Sequence, residues 1–427
     1  MDKIGNIPNL KSLKIAITGS FGFKDIGDEA MLTEDLSFIL NDLSIPRDNI
    51  YIFGDQPDYV SYYHQHPLHR CFNSSLLQRE HERLLKSKHK ASVKQKIKAL
   101  AKATILSQQV QHSEQKVCVG AAKSCDLLLV TGGGTINTRN REGWSIKRMH
   151  ALVSYFKHLG KPVFMSGQTI GPLGLYQEHD NLAREIINSV EFLSVRDSNY
   201  SRRYLKLIDT QPKKFVETFD DAYTLPYKDQ ELPPDVAEFF QRNNNEVFAV
   251  NVTEYTSDLP EQRVFIANLC EKLIETFGVN LVLVSHAEKD FYNLSIIYDM
   301  LNNSLKESVI LPDTRFWRGE ALKKLISSCR LAIGGRYHFI VFAGTSNTPF
   351  VGMCGNHYSY IKQDGFARVL GLEDFILTEK ETWDMSIVLS KVQAAFDLQL
   401  DLETKFQRPS VSMQHFGEWL QSLFENQ

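Results

Sequence analysis

The chain has 427 residues, 43% of them hydrophobic and 23% charged, which suits a soluble globular protein of roughly two or three domains. Its formal net charge of −3 gives no global positive field, so nucleic acid is not an expected partner and any anionic substrate must be met by local groups. No apolar run reaches the ~18 residues that span a bilayer, and the first residues lack a signal-peptide pattern.

Short runs rich in Val, Ile and Leu recur along the chain. A first set lies at 14–19, 49–54, 126–133, 162–167 and 192–197, and a second at 246–252, 280–286, 308–313, 331–335 and 348–353. Near-continuous apolar strands are what a parallel sheet covered on both faces requires. Between them lie helical patterns such as 34–43, where Leu36, Ile39, Leu40 and Leu43 share one face. This alternation predicts α/β layers, doubly wound. A polar, proline-bearing join, "YKDQELPPD" (227–235), predicts one domain over 1–228 and a second over 229–400. A helical tail over 401–427 follows, amphipathic from 411 to 424.

From Arg79 to Lys116 the chain carries ten Lys or Arg against three Glu. Lys86, Lys90, Lys94, Lys98 and Lys102 sit four apart, a spacing that sets like charges side by side on a helix. The segment about 79–116 reads as a solvated basic insertion. Its functional alternative is peripheral contact with an anionic membrane or a lipid-linked acceptor. The six cysteines are scattered, with no CxxC pair, which fits reduced thiols in a cytoplasmic protein, free or peripheral at the inner membrane face.

In open α/β sheets ligands bind beyond the carboxyl ends of the strands, and several groups of residues fall there. "GSFGFKDIGDEAML" (19–32) places Gly27, Asp28 and Glu29 at a helix start, where carboxylates meet the positive dipole end; capping accounts for Asp28 equally well. The stretch is neither a GxGxxG fingerprint nor a P-loop. "VTGGGTIN" (130–137) offers Gly133, Gly134 and Thr135, whose backbone can approach an anion closely. "MSGQTIGPLG" (165–174) offers Ser166, Gln168 and Thr169, able to read a sugar or carboxylate or to bond their own loop. In "SVRDSNYSRRYLKL" (194–207), Asp197 or Ser198 can cap a helix and Arg196 is left with no local partner. Its planar fork suits phosphate or carboxylate, or an ion pair with another element. In "LAIGGRYHFIVFAGT" (331–345), Gly335 ends a strand, and Arg336, Tyr337 and His338 fall in the first turn of a helix. Arg336 supplies charge and His338 a titratable nitrogen beside an anion-favouring helix end. His64, His66, His69 and Cys71 cluster in "HQHPLHRC", but Pro67 breaks the ligand spacing and no metal is expected.

Together these motifs resemble the polysaccharide pyruvyl transferase family. "IGDEAML", "TGGGTI", "SGQTIGPL", "VRDSNYSRRYL", "FDDAYTLP" (219–226), "GGRYHFIVFAGTSNTPFVGM" and "YIKQDGFARVLGLEDFIL" follow that family's motifs in order, from about residue 14 to 377. The resemblance implies two Rossmann-like domains facing a cleft, as in GT-B glycosyltransferases. It implies transfer of the pyruvyl group of phosphoenolpyruvate onto two hydroxyls of a sugar or lipid-linked glycan, as a ketal, with phosphate released and no cofactor. Arg196 and Arg336 match the family's anion-binding arginines, and His338 matches its histidine. The chain departs from the pattern with Tyr337 in place of leucine, Gly335 in place of serine and Thr169 in place of serine. Two rivals are a nucleotide-sugar glycosyltransferase and a non-catalytic glycan-binding relative. Against the first, no Glu occurs from Gly335 to Leu372 to hold ribose hydroxyls, and the only Asp is Asp364.

Overall fold

The structure, a computed structural model, describes residues 10–88, 103–197, 199–244, 246–398, 400 and 411–425. Two sheets organise it. The first contains β1 (Ile15–Thr18), β2 (Ile50–Gly54), β3 (Cys71–Asn73), β4 (Leu127–Val130), β5 (Val163–Gln168), β6 (Phe192–Val195) and β7 (Phe215–Glu217), in the order β3-β2-β1-β4-β5-β6-β7. The second contains β8 (Val247–Asn251), β9 (Asn280–Val284), β10 (Val309–Ile310), β11 (Leu331–Gly334), β12 (Phe350–Met353) and β13 (Ile376–Leu377), in the order β10-β9-β8-β11-β12-β13. Every strand pair is parallel. The order is doubly wound in both sheets, so each domain is Rossmann-like.

The apolar runs explain the centre of each sheet. Ile17 lies beside both Ile52 and Leu129, and all three are fully buried. Val250 lies in the same way beside Leu283 and Ile333. Helices cover both faces, which is why these strands carry no polar alternation. Three strands absent from the sequence reading, β3, β7 and β13, are all edges of two or three residues.

The amphipathic stretch at 411–424 needs a surface to pack on, and its helix Val411–Glu425 docks on the first sheet, where Met413, Phe416, Trp419 and Leu420 join the core around Phe164 and Phe192. The Phe416 and Trp419 rings lie 5.0 and 5.5 Å from that of Phe164. Ser412 adds hydrogen bonds to Ser166 and Ser194 beneath it.

Helices Ser74–Lys88 and Ala103–Ser124 flank the basic insertion, but residues 89–102, with Lys90, Lys94, Lys98 and Lys102, lie outside the described residues. All six cysteines are buried free thiols, and burial pushes Cys71, Cys118, Cys125 and Cys270 up to about 12. Among the described residues no helix is long and apolar enough to cross a membrane.

Candidate active site

From β1 the first sheet grows one way through β2 and β3, then the other way through β4; β8 does the same with β9 and β11. Such a switch point leaves a crevice outside the carboxyl ends of the two diverging strands. The two crevices face each other. The loops after β1, β4, β8 and β11 all line one cavity of about 670 Å³ between the domains.

Arg336 comes from the loop after β11 and is the N-cap of helix Tyr337–Gly344, with extended backbone and no side-chain cap. Its amide donates to Asn251 Oδ1 at 2.9 Å. Its guanidinium donates to Asp290 at 2.6 and 2.9 Å, to Glu254 Oε2 at 3.1 Å and to Asp25 Oδ2 at 3.2 Å. The last bond crosses from one domain to the other. Asp25 is itself the N-cap of helix Ile26–Ser37, accepting from the Gly27 amide at 3.0 Å. Burial works against its charge, but Arg336, with His338, more than offsets this and holds its pKa below the usual range.

His338 follows in the first turn and is 6% exposed. Its ring lies against Gly27 of the other domain so closely that a Cβ there would stand 2.1 Å from Nδ1. Its Nε2 stands 3.5 Å from Asp220 Oδ2 and makes no hydrogen bond. Asp220 is also paired with Arg196. Burial opposes the Asp220 charge, yet Arg196 and His338 keep it ionised well below the usual carboxylate range. Arg196 Nε donates to Thr169 Oγ1 at 2.8 Å, and its guanidinium lies 4.2 Å from the centre of the Tyr337 ring. Tyr337 therefore serves as a floor for Arg196.

Four carboxylates line the wall. Asp25 and Glu254 bind Arg336, and Asp55 binds Arg148 and accepts from Ser74 Oγ. Asp28 alone of the four has no hydrogen bond or ion pair among the described residues. Burial, with the neighbouring Asp25 charge, pushes its pKa up to about 7. The cations Arg139 and Lys362 have no carboxylate partner among the described residues. Arg139 donates to Tyr255 Oη at 3.0 Å, and Lys362 lies over the Tyr337 and Tyr358 rings. His286 is fully buried at the wall with neither ring nitrogen bonded, and burial drives its pKa to about 3, so it is neutral at pH 7.

Of the residues singled out in the sequence, Asp28, Gly134, Thr135, Arg196, Gly335, Arg336, Tyr337 and His338 reach the cavity. Six expected to touch substrate do not line it. Gly27 is covered by His338. Glu29 is fully buried, accepting from the Gly22 amide and pairing with His64 Nε2 at 2.8 Å. Gly133 accepts from the Thr169 amide, locking its loop to β5. Ser166 donates to Asp221 beneath the C-terminal helix, Gln168 donates to Thr131 and Ser166 carbonyls, and Thr169 holds Arg196. All three are buried, Ser166 and Gln168 because β5 is covered on both faces and Thr169 in the turn that follows it. Asp197 accepts from the Tyr200 and Ser201 amides at the start of the helix Asn199–Leu207, and Ser198 lies outside the described residues. Among the described residues no group of three or more His, Cys, Asp and Glu is placed to hold a metal. Asp25, Arg139, His286 and Lys362 were missed. His286 lies just past β9 and Asp25 at the end of the loop after β1, both open to the strand-end rule, whereas Arg139 and Lys362 carry no local signal.

A family model described as polysaccharide pyruvyl transferase matches residues 25–358. No curated protein matches the chain. Solved structures share its fold at low identity. UDP-GlcNAc 2-epimerase from Methanocaldococcus jannaschii is 11% identical over 96% of this chain and 100% of its own, with a TM-score of 0.59. Anabaena Alr3699/HepE, solved with UDP-glucose, is 14% identical over 96% and 99%, with a TM-score of 0.53. The N-terminal domain of Candida albicans trehalose-6-phosphate phosphatase is 11% identical over 98% and 97%, with a TM-score of 0.53. They establish a GT-B-like architecture of two Rossmann-like domains, and at such identities nothing about substrate.

Proposed function

The chain belongs to the polysaccharide pyruvyl transferase family, and from that premise we propose that it moves the pyruvyl group of phosphoenolpyruvate onto two hydroxyls of a sugar. The sugar belongs to a surface polysaccharide or its precursor, and the product is a cyclic ketal plus phosphate. Family membership carries this reading, and the cation-lined cavity supports it. The donor brings a phosphate and a carboxylate. Arg139 and Lys362 can meet them without displacing a carboxylate among the described residues. Arg196 shares its charge with Asp220. Arg336 accepts an anion when Glu254 yields, since that side chain is the most exposed of its three carboxylates, at 31%. The uncapped start of helix Tyr337–Gly344 adds backbone N–H groups.

The reaction moves two protons. One is added to the methylene carbon, which becomes methyl, and the positive character this creates at C2 draws the first hydroxyl. The C2–O bond to phosphate then breaks with its electron pair on the leaving group, and the second hydroxyl closes the ketal. Two hydroxyl protons are lost in all; one balances the methyl and the other leaves on phosphate. In this reading His338 carries one proton and Asp28 the other, because both stand at the wall, His338 beside the Asp220 carboxylate and Asp28 with no hydrogen bond or ion pair among the described residues. The donor supplies its own leaving group, so no cofactor is included.

The test is to incubate the protein with phosphoenolpyruvate and extracted glycan precursors, then measure phosphate and product mass. A gain of one pyruvate less one water, matched by phosphate, is expected. A gain of one hexose from a nucleotide sugar, with no phosphoenolpyruvate consumed, would sink the proposal.

A further inference from the structure

Two large aromatic side chains on the cavity wall are left in solvent. Phe23, in the loop after β1, is 56% exposed, and Trp144, the first residue of helix Trp144–His158, is 72% exposed. Exposed apolar residues are ordinary when scattered singly. These two share one cavity, and the groups around them are selective in kind. Ser75, Gln78 and Ser145 supply hydroxyls and an amide on the same wall. Among the described residues the cation beside them, Arg148, lies 5.4 Å from the centre of the Phe23 ring and is already paired with Asp55. This end therefore offers apolar faces and neutral hydrogen-bonding groups, with its charge cancelled.

The topology sets Ser75 and Gln78 apart from Arg196, with Phe23, after β1, and Trp144, after β4, on the strands between them. Asp55 follows β2, and Ser75 and Gln78 follow β3, at one side of the sheet. Arg196 follows β6, five strand steps from β3, or about 24 Å at the usual strand spacing. A ligand carrying phosphate and carboxylate belongs at the second end. The first fits a pyranose, whose ring C–H face is apolar and whose rim is hydroxyl.

We propose that Phe23 and Trp144 form the platform on which a neutral pyranose of the acceptor glycan stacks, with Ser75, Gln78 and Ser145 reading its hydroxyls. The inference rests on the transferase reading for the word acceptor, but the platform binds sugar without donor. Both side chains project into solvent, so their removal leaves the core intact.

Saturation-transfer NMR with methyl galacto-, gluco-, manno- and N-acetylglucopyranosides, without phosphoenolpyruvate, is the test. The parent protein should transfer saturation to ring protons of at least one of them. Trp144→Ala and Phe23→Ala should each weaken binding about tenfold, while Trp144→Phe and Phe23→Tyr restore most of it. In turnover assays the alanine variants should raise the acceptor KM with the phosphoenolpyruvate KM unchanged. Equal binding by parent and alanine variants, no binding of any pyranoside by the parent, or displacement only by an isoprenyl phosphate would each overturn the platform. Pyranoside binding that depends on both rings, with no phosphoenolpyruvate turnover, would leave the platform standing and defeat the transferase reading instead.

Discussion

Replacing Asp28 with Asn removes a charge while keeping shape, and the structure assigns that change two separable consequences. Asp28 faces Asp25, which is negative, and His338, Lys362 and Arg196, which are positive or titratable; burial and Asp25 prevail and lift its pKa from 3.8 to about 7. The sign for stability follows. Below about pH 4 the carboxyl is protonated in folded and unfolded chains, and the substitution changes nothing. Between 4 and 7 only the unfolded chain ionises, so the parent protein loses stability as pH rises. Above 7 the loss is constant, at most about 4 kcal/mol. Asp28 is partly exposed, so solvent screening trims this to about 1–3 kcal/mol. Asp28→Asn should therefore be more stable than the parent by that amount at pH 8 and equal to it near pH 4, measured by urea unfolding across the range. Turnover should fall about 10²-fold, and the limb of the pH–rate profile near 7 should vanish. Equal stability at pH 8 would refute the raised pKa, and an unchanged pH–rate profile would refute the proton-transfer role.

Three further outcomes follow from named contacts. Gly27→Ala sits in a helix, where alanine is intrinsically better by about 1 kcal/mol; a net loss of stability, with turnover down about 10²-fold, would trace to the His338 ring it must displace, and a simple gain in thermal stability with full activity would refute that packing role. Glu254→Gln removes the most exposed competitor for Arg336 and should lower the phosphoenolpyruvate KM several-fold in steady-state assays; a raised KM would mean Glu254 itself serves the substrate. Trp419→Ala should cost about 3–5 kcal/mol in urea unfolding, because the indole is 7% exposed against Phe164 and Phe416; a loss under 1 kcal/mol would show the C-terminal helix to be a dispensable cover.

What was legible in the sequence divides along physical lines. Central strands such as β1 and β8 announce themselves because burial on both faces forces a continuous apolar run. Edge strands β3, β7 and β13 need no such run, being short and paired on one side, and nothing local marks them. The start of helix Tyr337–Gly344 was legible for the same local reason, since two glycines, a polar turn and an apolar helix occupy one window. The partners of its first residue were not. Arg336 meets Glu254 at 82 residues' distance and Asp25 at 311, and no short-range pattern records such pairings. Sequence therefore identified Asp28, Arg196, Arg336 and His338 but not Asp25, Arg139, His286 and Lys362, nor which of the groups are already neutralised. That distinction reorders the site. Arg336, prominent in the motif, is held by three carboxylates, while Asp28, which a helix cap would have explained, is displaced from that role because Asp25 performs it. An acidic residue at a helix start that does no capping, makes no ion pair among the described residues and faces the cavity has the substrate as its natural counterpart.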